Sequence, residues 1–149
     1  LVLMFVGASP GSTGGGIKTT TFAVLMLSLT SMLKGRRELS LYNRRIALSN
    51  FREATSLITL SGIIIFIVVF LLFLFENLPF EKLLFEAISA FGTVGLSMGV
   101  TDKLGRAGRL LITLLMYIGR IGPLTLIYAL SMRKREPNIK YAEEKIAIG

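Results

Sequence analysis

The chain has no cysteine, histidine or tryptophan among its 149 residues. Without cysteine there are no thiol nucleophiles or disulfides, and without histidine there are no imidazole bases and few of the usual zinc ligands. Charged residues are also scarce: they make up 17% of the sequence, against about 25% in ordinary soluble domains. The sequence therefore disfavours thiol or imidazole chemistry, and also a soluble globular domain.

Apolar residues dominate what remains, at 52% of the chain with a mean hydropathy of +0.68. They are arranged in long blocks and do not alternate with polar residues. The block 54–75 has no charged residue, and Leu110 to Met132 has only Arg120. Because about 20 apolar residues suffice to cross a bilayer, each block predicts a membrane span. We therefore expect the lipid bilayer to surround the chain.

The net charge of +8 could suggest nucleic acid, but the basic residues lie in loops beside the apolar blocks. One cluster falls within 34–53 and the other within 133–149, whereas the stretch 76–106 has no basic excess. By the positive-inside rule, both clusters are predicted to be cytoplasmic. This pattern indicates a multi-pass plasma-membrane protein that does not bind nucleic acid.

The chain divides into a broken helix, a basic connector, a span followed by a short helix and a second span, and a polar tail. We predict helix on both sides of a Gly-rich loop at 7–18 within residues 1–33, then a cytoplasmic connector over 34–53. The rest is predicted as a span over 54–75, a pore helix over 79–91, a filter over 92–97, an inner span over 106–132 and a cytoplasmic tail over 133–149. A helix as short as 79–91 can enter a membrane but cannot cross it. The fold class is therefore all-α, with the architecture of a pore-loop channel.

The loop 7–18 holds Pro10 and several glycines, which are unfavourable inside a helix. Non-helical backbone at membrane depth is tolerated only where it is buried in protein or lines a cavity. A phosphate-binding loop is disfavoured because Ile17 separates Gly16 from Lys18. A glycine face for helix packing remains an alternative. A flexible plug below a filter accounts better for the unbroken run 14–16.

The tripeptide Thr93-Val94-Gly95 is typical of a filter when it follows a half-helix between two spans. A filter replaces the water shell of an ion with carbonyl oxygens, and Gly95 supplies the backbone freedom that this needs. We expect the carbonyls of Thr93, Val94 and Gly95 to coordinate potassium, with Leu96 completing the filter. The alternative is an ordinary strand or turn fragment.

Three motifs together resemble the Trk/Ktr/HKT superfamily of potassium transporters, and within it the bacterial Ktr membrane subunits. The stretch 90–97 resembles the fourth pore loop, 7–19 the intramembrane gating loop, and 119–125 the fourth inner helix. The resemblance implies a four-repeat subunit, of which this chain would hold the end of the third repeat and all of the fourth. One position departs from simple tetrameric potassium channels: Leu96-Ser97 stands where they have Tyr-Gly.

The resemblance also implies a function and partners. It implies potassium translocation with no enzymatic chemistry, no cofactor in this chain and potassium as the substrate. It further implies a homodimer of complete subunits on a cytoplasmic ring of nucleotide-binding regulatory proteins. The gate would consist of the loop glycines and a buried arginine, namely Gly7, Gly11, Gly14, Gly15, Gly16 and Arg120.

Arg120 lies near the middle of an apolar block, where a charge costs about 2.5 to 3.5 kcal/mol on insertion scales. It could act as a fixed positive charge below the filter, or it could simply satisfy stray carbonyls, and in either case we expect carbonyls of the Gly-rich loop as its partners. Gly122 and Pro123 nearby are expected to kink the helix. Two functional alternatives also remain open. One is an ion-coupled secondary transporter that uses the broken helix as a substrate site, and the other is a membrane anchor that conducts nothing.

Overall fold

The structure, a computed structural model, describes residues 1–34, 40–41, 44–45, 48–123 and 125. The chain order is α1 (Val2–Val6), α2 (Thr19–Leu33), β1 (Ser40–Leu41), β2 (Arg44–Arg45), α3 (Leu48–Phe75), α4 (Phe80–Gly92), a 3-10 turn (Thr101–Lys103) and α5 (Arg106–Ile121). The predicted tail 133–149 and the end of the predicted inner span lie outside the described residues. The described part is mostly helical.

The connector contains a short antiparallel pair of strands, in which Ser40 pairs with Arg45. It also ends earlier than predicted, because α3 begins at Leu48 and not at residue 54. The predicted span began after Arg52 and Glu53 because charged residues were taken to lie outside the membrane. Arg52 and Glu53 are exposed in the first turns of α3, where long side chains can reach water without ending the helix.

Helix α3 is 28 residues long, and its segment Ser49–Phe75 is long and apolar enough to cross a membrane, alone among the described helices. At about 1.5 Å per residue, α3 measures roughly 42 Å. Large apolar side chains project outward from it, with Phe66 72% exposed. Such a surface suits lipid or further protein and is poorly suited to water.

Helix α4 packs between its neighbours and carries the centre of the core. Leu83, Ala87 and Phe91 of α4 are fully buried because they recur at helical spacing on one face. They pack in one cluster with Leu72 of α3 and Leu115 of α5. The C-terminal end of α4 is therefore held between α3 and α5, and this fixes the start of the predicted filter.

Helix α5 ends at Ile121, inside the predicted inner span 106–132, and the chain is helical again at Pro123 and Thr125. Gly122 has a positive φ of 89°, and Pro123 has no N–H to donate to the carbonyl four residues earlier. The predicted span is thus interrupted after one 16-residue helix. The interruption leaves Gly119 and Arg120 in the last turn of α5.

Candidate functional site

The Gly-rich loop 7–18 folds back onto the end of α1. The backbone N–H of Ile17 donates to the Phe5 carbonyl at 3.2 Å, and that of Lys18 donates to the Val6 carbonyl at 2.8 Å. These bonds satisfy carbonyls that the last turn of a helix leaves free. Ile17 is only 1% exposed, so the end of the loop, where the chain returns to α1, is packed into the protein.

Three distant segments meet at a point that we call the glycine junction: Gly15 of the loop, Gly119 of α5 and the Phe91 carbonyl at the end of α4. A Cβ on Gly15 would lie 2.8 Å from the Phe91 oxygen and 3.0 Å from the Gly119 oxygen. A Cβ on Gly119 would overlap the Phe91 oxygen. Only glycine allows these three backbones to approach so closely.

A side chain of the predicted filter joins the same point. The Gly15 N–H donates to the Thr93 hydroxyl oxygen at 2.8 Å, across 78 positions in the sequence. Thr93 itself ends α4 in the left-handed region, with φ 53°. The predicted gate and the first residue of the predicted filter are thus in direct contact.

The other predicted gate glycines fall into two groups. Gly7, Gly14 and Gly16 are crowded, since a Cβ on Gly16 would lie 2.9 Å from the Gly7 Cα. Gly11 lies at the outer end of the loop with φ 83°, and a Cβ there would meet no atom within 4 Å. The structure therefore brings four of the five predicted gate glycines together and leaves Gly11 apart.

Beyond Thr93, the predicted filter leaves the packed core. The Val94 N–H still donates to the Ser89 carbonyl at 3.0 Å. Gly95 then takes a positive φ of 79° with open space around it, and Leu96 is 56% exposed. Residues 94–99 are all exposed in this chain, so their backbone is free to face other parts of a larger assembly.

Arg120 reaches the loop from the last turn of α5, where its guanidinium donates to the Thr13 carbonyl. Sequence reasoning predicted loop carbonyls as its partners. The Arg120 side chain is exposed in this chain, and its burial within a complete subunit stays a prediction. The reason for this exposure is geometric: Gly119 faces the glycine junction, so the next residue of the helix points away from it. A cation in the last turn of a helix is favourable for the helix dipole.

An open recess of about 380 Å³ adjoins these contacts. Loop and filter residues share its walls, together with two residues of α1. The lining residues are Leu3, Met4, Gly7, Ala8, Gly14, Gly92, Thr93 and Val94. The loop and the beginning of the predicted filter therefore border one common space.

Sequence reasoning missed Glu86 on α4, which is only 6% exposed. Its carboxyl group accepts hydrogen bonds from the hydroxyls of Ser97, at 2.8 Å, and of Thr101. The sequence did carry a signal, because an ionisable residue on a helix expected inside the membrane is a functional candidate by default. Glu86 was instead counted with the other acidic residues of 76–106 in the charge balance.

The chain matches the family model described as "TrkH: Cation transport protein" over residues 1–141. It is 40% identical over 149 residues to the Ktr system potassium uptake protein B of Bacillus subtilis (strain 168), covering 100% of this chain and 33% of that protein. It is 41% identical over 150 residues to the protein of the same name from Vibrio alginolyticus, covering 100% and 32%.

A third relative is named for the uptake of two ions, potassium and sodium. The chain is 37% identical over 155 residues to the potassium/sodium uptake protein NtpJ of Enterococcus hirae, covering 100% of this chain and 34% of that protein. The chain therefore spans about a third of the length of the curated relatives that it matches.

Proposed function

Because this chain belongs to the TrkH family of cation transport proteins, we propose that it forms part of a membrane pore that conducts potassium down its electrochemical gradient. The family is one of cation transporters and not of enzymes, as the sequence predicted, and membership implies a membrane location. In this proposal the complete protein lies in the plasma membrane and crosses it several times, with residues 34–53 and the tail on the cytoplasmic side.

The contact between Gly15 and Thr93 carries the proposal. The Gly15 N–H donates to the Thr93 hydroxyl oxygen at 2.8 Å. The Arg120 guanidinium donates to the carbonyl of Thr13, two residues earlier in the loop. The loop is thereby attached at once to the start of the filter and to α5. A segment held in this way supports a gate, since its release would free the recess below Thr93.

The filter consists of the backbone of Thr93, Val94, Gly95 and Leu96, and the carbonyls of the first three replace the hydration shell of the ion. The C-terminal end of α4 lies just before it, and the negative end of the helix dipole favours a cation there. Four such segments, one from each repeat of a complete subunit, would surround the ion. The relatives are named for potassium in two cases and for potassium and sodium in one, which supports a monovalent cation as the substrate.

The proposal includes the partners that the resemblance implies. Complete subunits form a homodimer, and a cytoplasmic ring of nucleotide-binding regulatory proteins acts on the gate. The basic residues of the connector and the tail are the surfaces offered to that ring. Purification of the complete protein with a tagged regulatory partner tests this arrangement, and recovery of single subunits alone would contradict it.

Potassium flux through the complete protein tests the gate. A unit charge about 6 Å from a passing ion opposes it by roughly 2 to 3 kcal/mol at an effective dielectric near 20. We therefore expect Arg120→Ala to raise flux by some tens-fold in proteoliposomes. A loss of flux with normal insertion into the membrane would contradict a gating role for Arg120.

Arg120→Lys is the matched control, because lysine keeps the charge but lacks the planar fork of donors. Low flux in the Lys variant with high flux in the Ala variant identifies charge as the barrier. Equal increases in flux in both variants identify the hydrogen bond from Arg120 to Thr13 as the barrier. Uptake against the potassium gradient, driven by a second ion, would instead support a coupled transporter.

The orientation has a separate test by cysteine labelling, which is practical because this chain has no native cysteine. Cysteine at Arg44 should react only from the cytoplasmic side, and cysteine at Asp102 only from outside. The opposite result would overturn the topology and with it the direction of the gate.

A further inference from the structure

Residues 94–99, which we call the filter bow, protrude from the fold between two buried anchors. Phe91 precedes the bow and is fully buried. Val100 follows it and is only 1% exposed. The six residues of the bow itself are exposed, so their own side chains provide little packing to fix the backbone.

One side chain in the middle of the bow is attached to the protein behind it. The Ser97 hydroxyl donates to the Glu86 carboxyl group at 2.8 Å. The Ser97 oxygen also accepts the Gly99 N–H at 3.1 Å. Between described residues, the side-chain hydrogen bonds of the bow all involve Ser97: these two and a third with Thr101.

Thr101 completes a small network just past the bow. Its hydroxyl lies 2.9 Å from that of Ser97 and also contacts the second carboxyl oxygen of Glu86. Both oxygens of Glu86 are therefore used, one by Ser97 within the bow and the other by Thr101 just after it. Glu86 lies six residues before Gly92 on a rigid helix, about 9 Å back along its axis.

We propose that Glu86 is a positioning residue of the filter, which holds Ser97 and Thr101 so that the carbonyls of the bow keep a fixed direction. The carboxyl group does not touch the ion in this proposal. It acts through the two hydroxyls, and a buried polar group that is fully hydrogen-bonded rigidifies what it binds. The inference rests on the proposed filter, because a bow that lines no ion path would need no such support.

The potassium over sodium uptake ratio of the complete protein is the appropriate measurement, using both ions at matched concentrations. We expect Glu86→Ala to lower the ratio about 10-fold, with smaller decreases of about 3-fold for Ser97→Ala and Thr101→Val, because each of these keeps the other hydroxyl contact to Glu86. Glu86→Gln keeps the length and one acceptor oxygen, so its ratio should fall between those of wild type and Glu86→Ala. A role in folding alone would lower the amount of protein and the maximal rate without changing the ratio.

Glu81→Gln is the matched control, because Glu81 is exposed in the first turn of the same helix. The double change Glu86→Ala with Ser97→Ala should be no worse than Glu86→Ala alone, as expected for partners in one network. If Glu86→Ala does not insert into the membrane, the two hydroxyl variants decide the question.

Three results would overturn the proposal. Unchanged ratios in Ser97→Ala and Thr101→Val with a lowered ratio in Glu86→Ala would make Glu86 an ion ligand. Additive effects in the double variant would separate Glu86 from Ser97. An equal decrease in Glu81→Gln would make the effect one of helix charge. Failure of the underlying filter is distinguishable, since the wild-type protein would then show no potassium preference.

Discussion

The loop and the filter both depend on glycine, but for opposite reasons. At the glycine junction, Gly15 and Gly119 are buried, and a Cβ on either would collide with backbone atoms. In the filter bow, Gly95 is exposed and has open space around it, and its positive φ of 79° is what excludes other residues. The first region needs a small residue, whereas the second needs a flexible backbone.

This difference indicates how the two regions work. Close backbone packing at the junction makes the docked loop a well-defined state, since protein interiors resist even small changes in volume. The bow has little packing of its own and takes its shape from Thr93 at one end and Ser97 further along. A gate that docks on Thr93 therefore acts on the more adjustable of the two regions.

The largest effect is expected at the junction. In Gly119→Ala the added methyl group overlaps the Phe91 carbonyl, and neither partner is a flexible side chain that could move aside. We expect a loss of about 3 kcal/mol or more, at the upper end of overpacking. Thermal unfolding of the purified complete protein measures it, and an unchanged unfolding temperature would show that α4 and α5 do not pack so closely.

A smaller effect is expected at Gly95, where space is available. Gly95→Ser places a side chain in the left-handed region, at a cost of roughly 1 to 2 kcal/mol. We expect a lowered potassium over sodium uptake ratio, by about 10-fold, with a smaller decrease in unfolding temperature than for Gly119→Ala. A change in stability without a change in ratio would assign Gly95 to the fold and remove it from the ion path.

A smaller effect is expected when the hydrogen bond between the loop and Thr93 is removed. Thr93→Val keeps the shape but removes the oxygen that accepts the Gly15 N–H, so the closed loop should lose about 1 kcal/mol of docking. Resting potassium flux should rise about 5-fold, and Thr93→Ser should restore the wild-type value. A decrease in flux would indicate that the hydroxyl binds the ion.

The smallest effect is expected at a glycine outside both regions. Gly62 lies inside α3, and a Cβ there would meet no atom within 4 Å. Gly62→Ala should leave potassium flux unchanged and stabilise the helix by up to about 1 kcal/mol. Lost flux in this variant would show that glycine changes disturb the protein wherever they are made, and the comparison would fail.

Local sequence signals were sufficient for several features of the fold. The glycines and Pro10 predicted the break at 7–18, and helix was expected to resume near Thr19, where α2 begins. The boundaries that differ have physical causes. Charge was taken to end the span at Arg52 and Glu53, although helices extend into water, whereas α5 breaks at Gly122, where a kink was expected.

The contacts of the site are long-range, and no local pattern encodes them. Gly15 and Thr93 are 78 positions apart, and Arg120 and Thr13 are 107 apart. The sequence predicted that Arg120 would bind carbonyls of the loop. It could not predict that the carbonyl would be that of Thr13. Glu86 was missed because its partner Ser97 becomes a neighbour only after the chain reverses at the bow.

The most direct test of the central claim is a double-variant cycle on resting potassium flux, combining a shortened loop between Gly11 and Gly16 with Arg120→Ala. Each change alone should raise flux, because each removes part of one barrier to the same ion. If the loop and Arg120 hold each other closed, the combined change should raise flux by less than the two effects added as free energies. Strict additivity, or reduced flux with normal membrane insertion, would contradict a single gate made by the loop and Arg120.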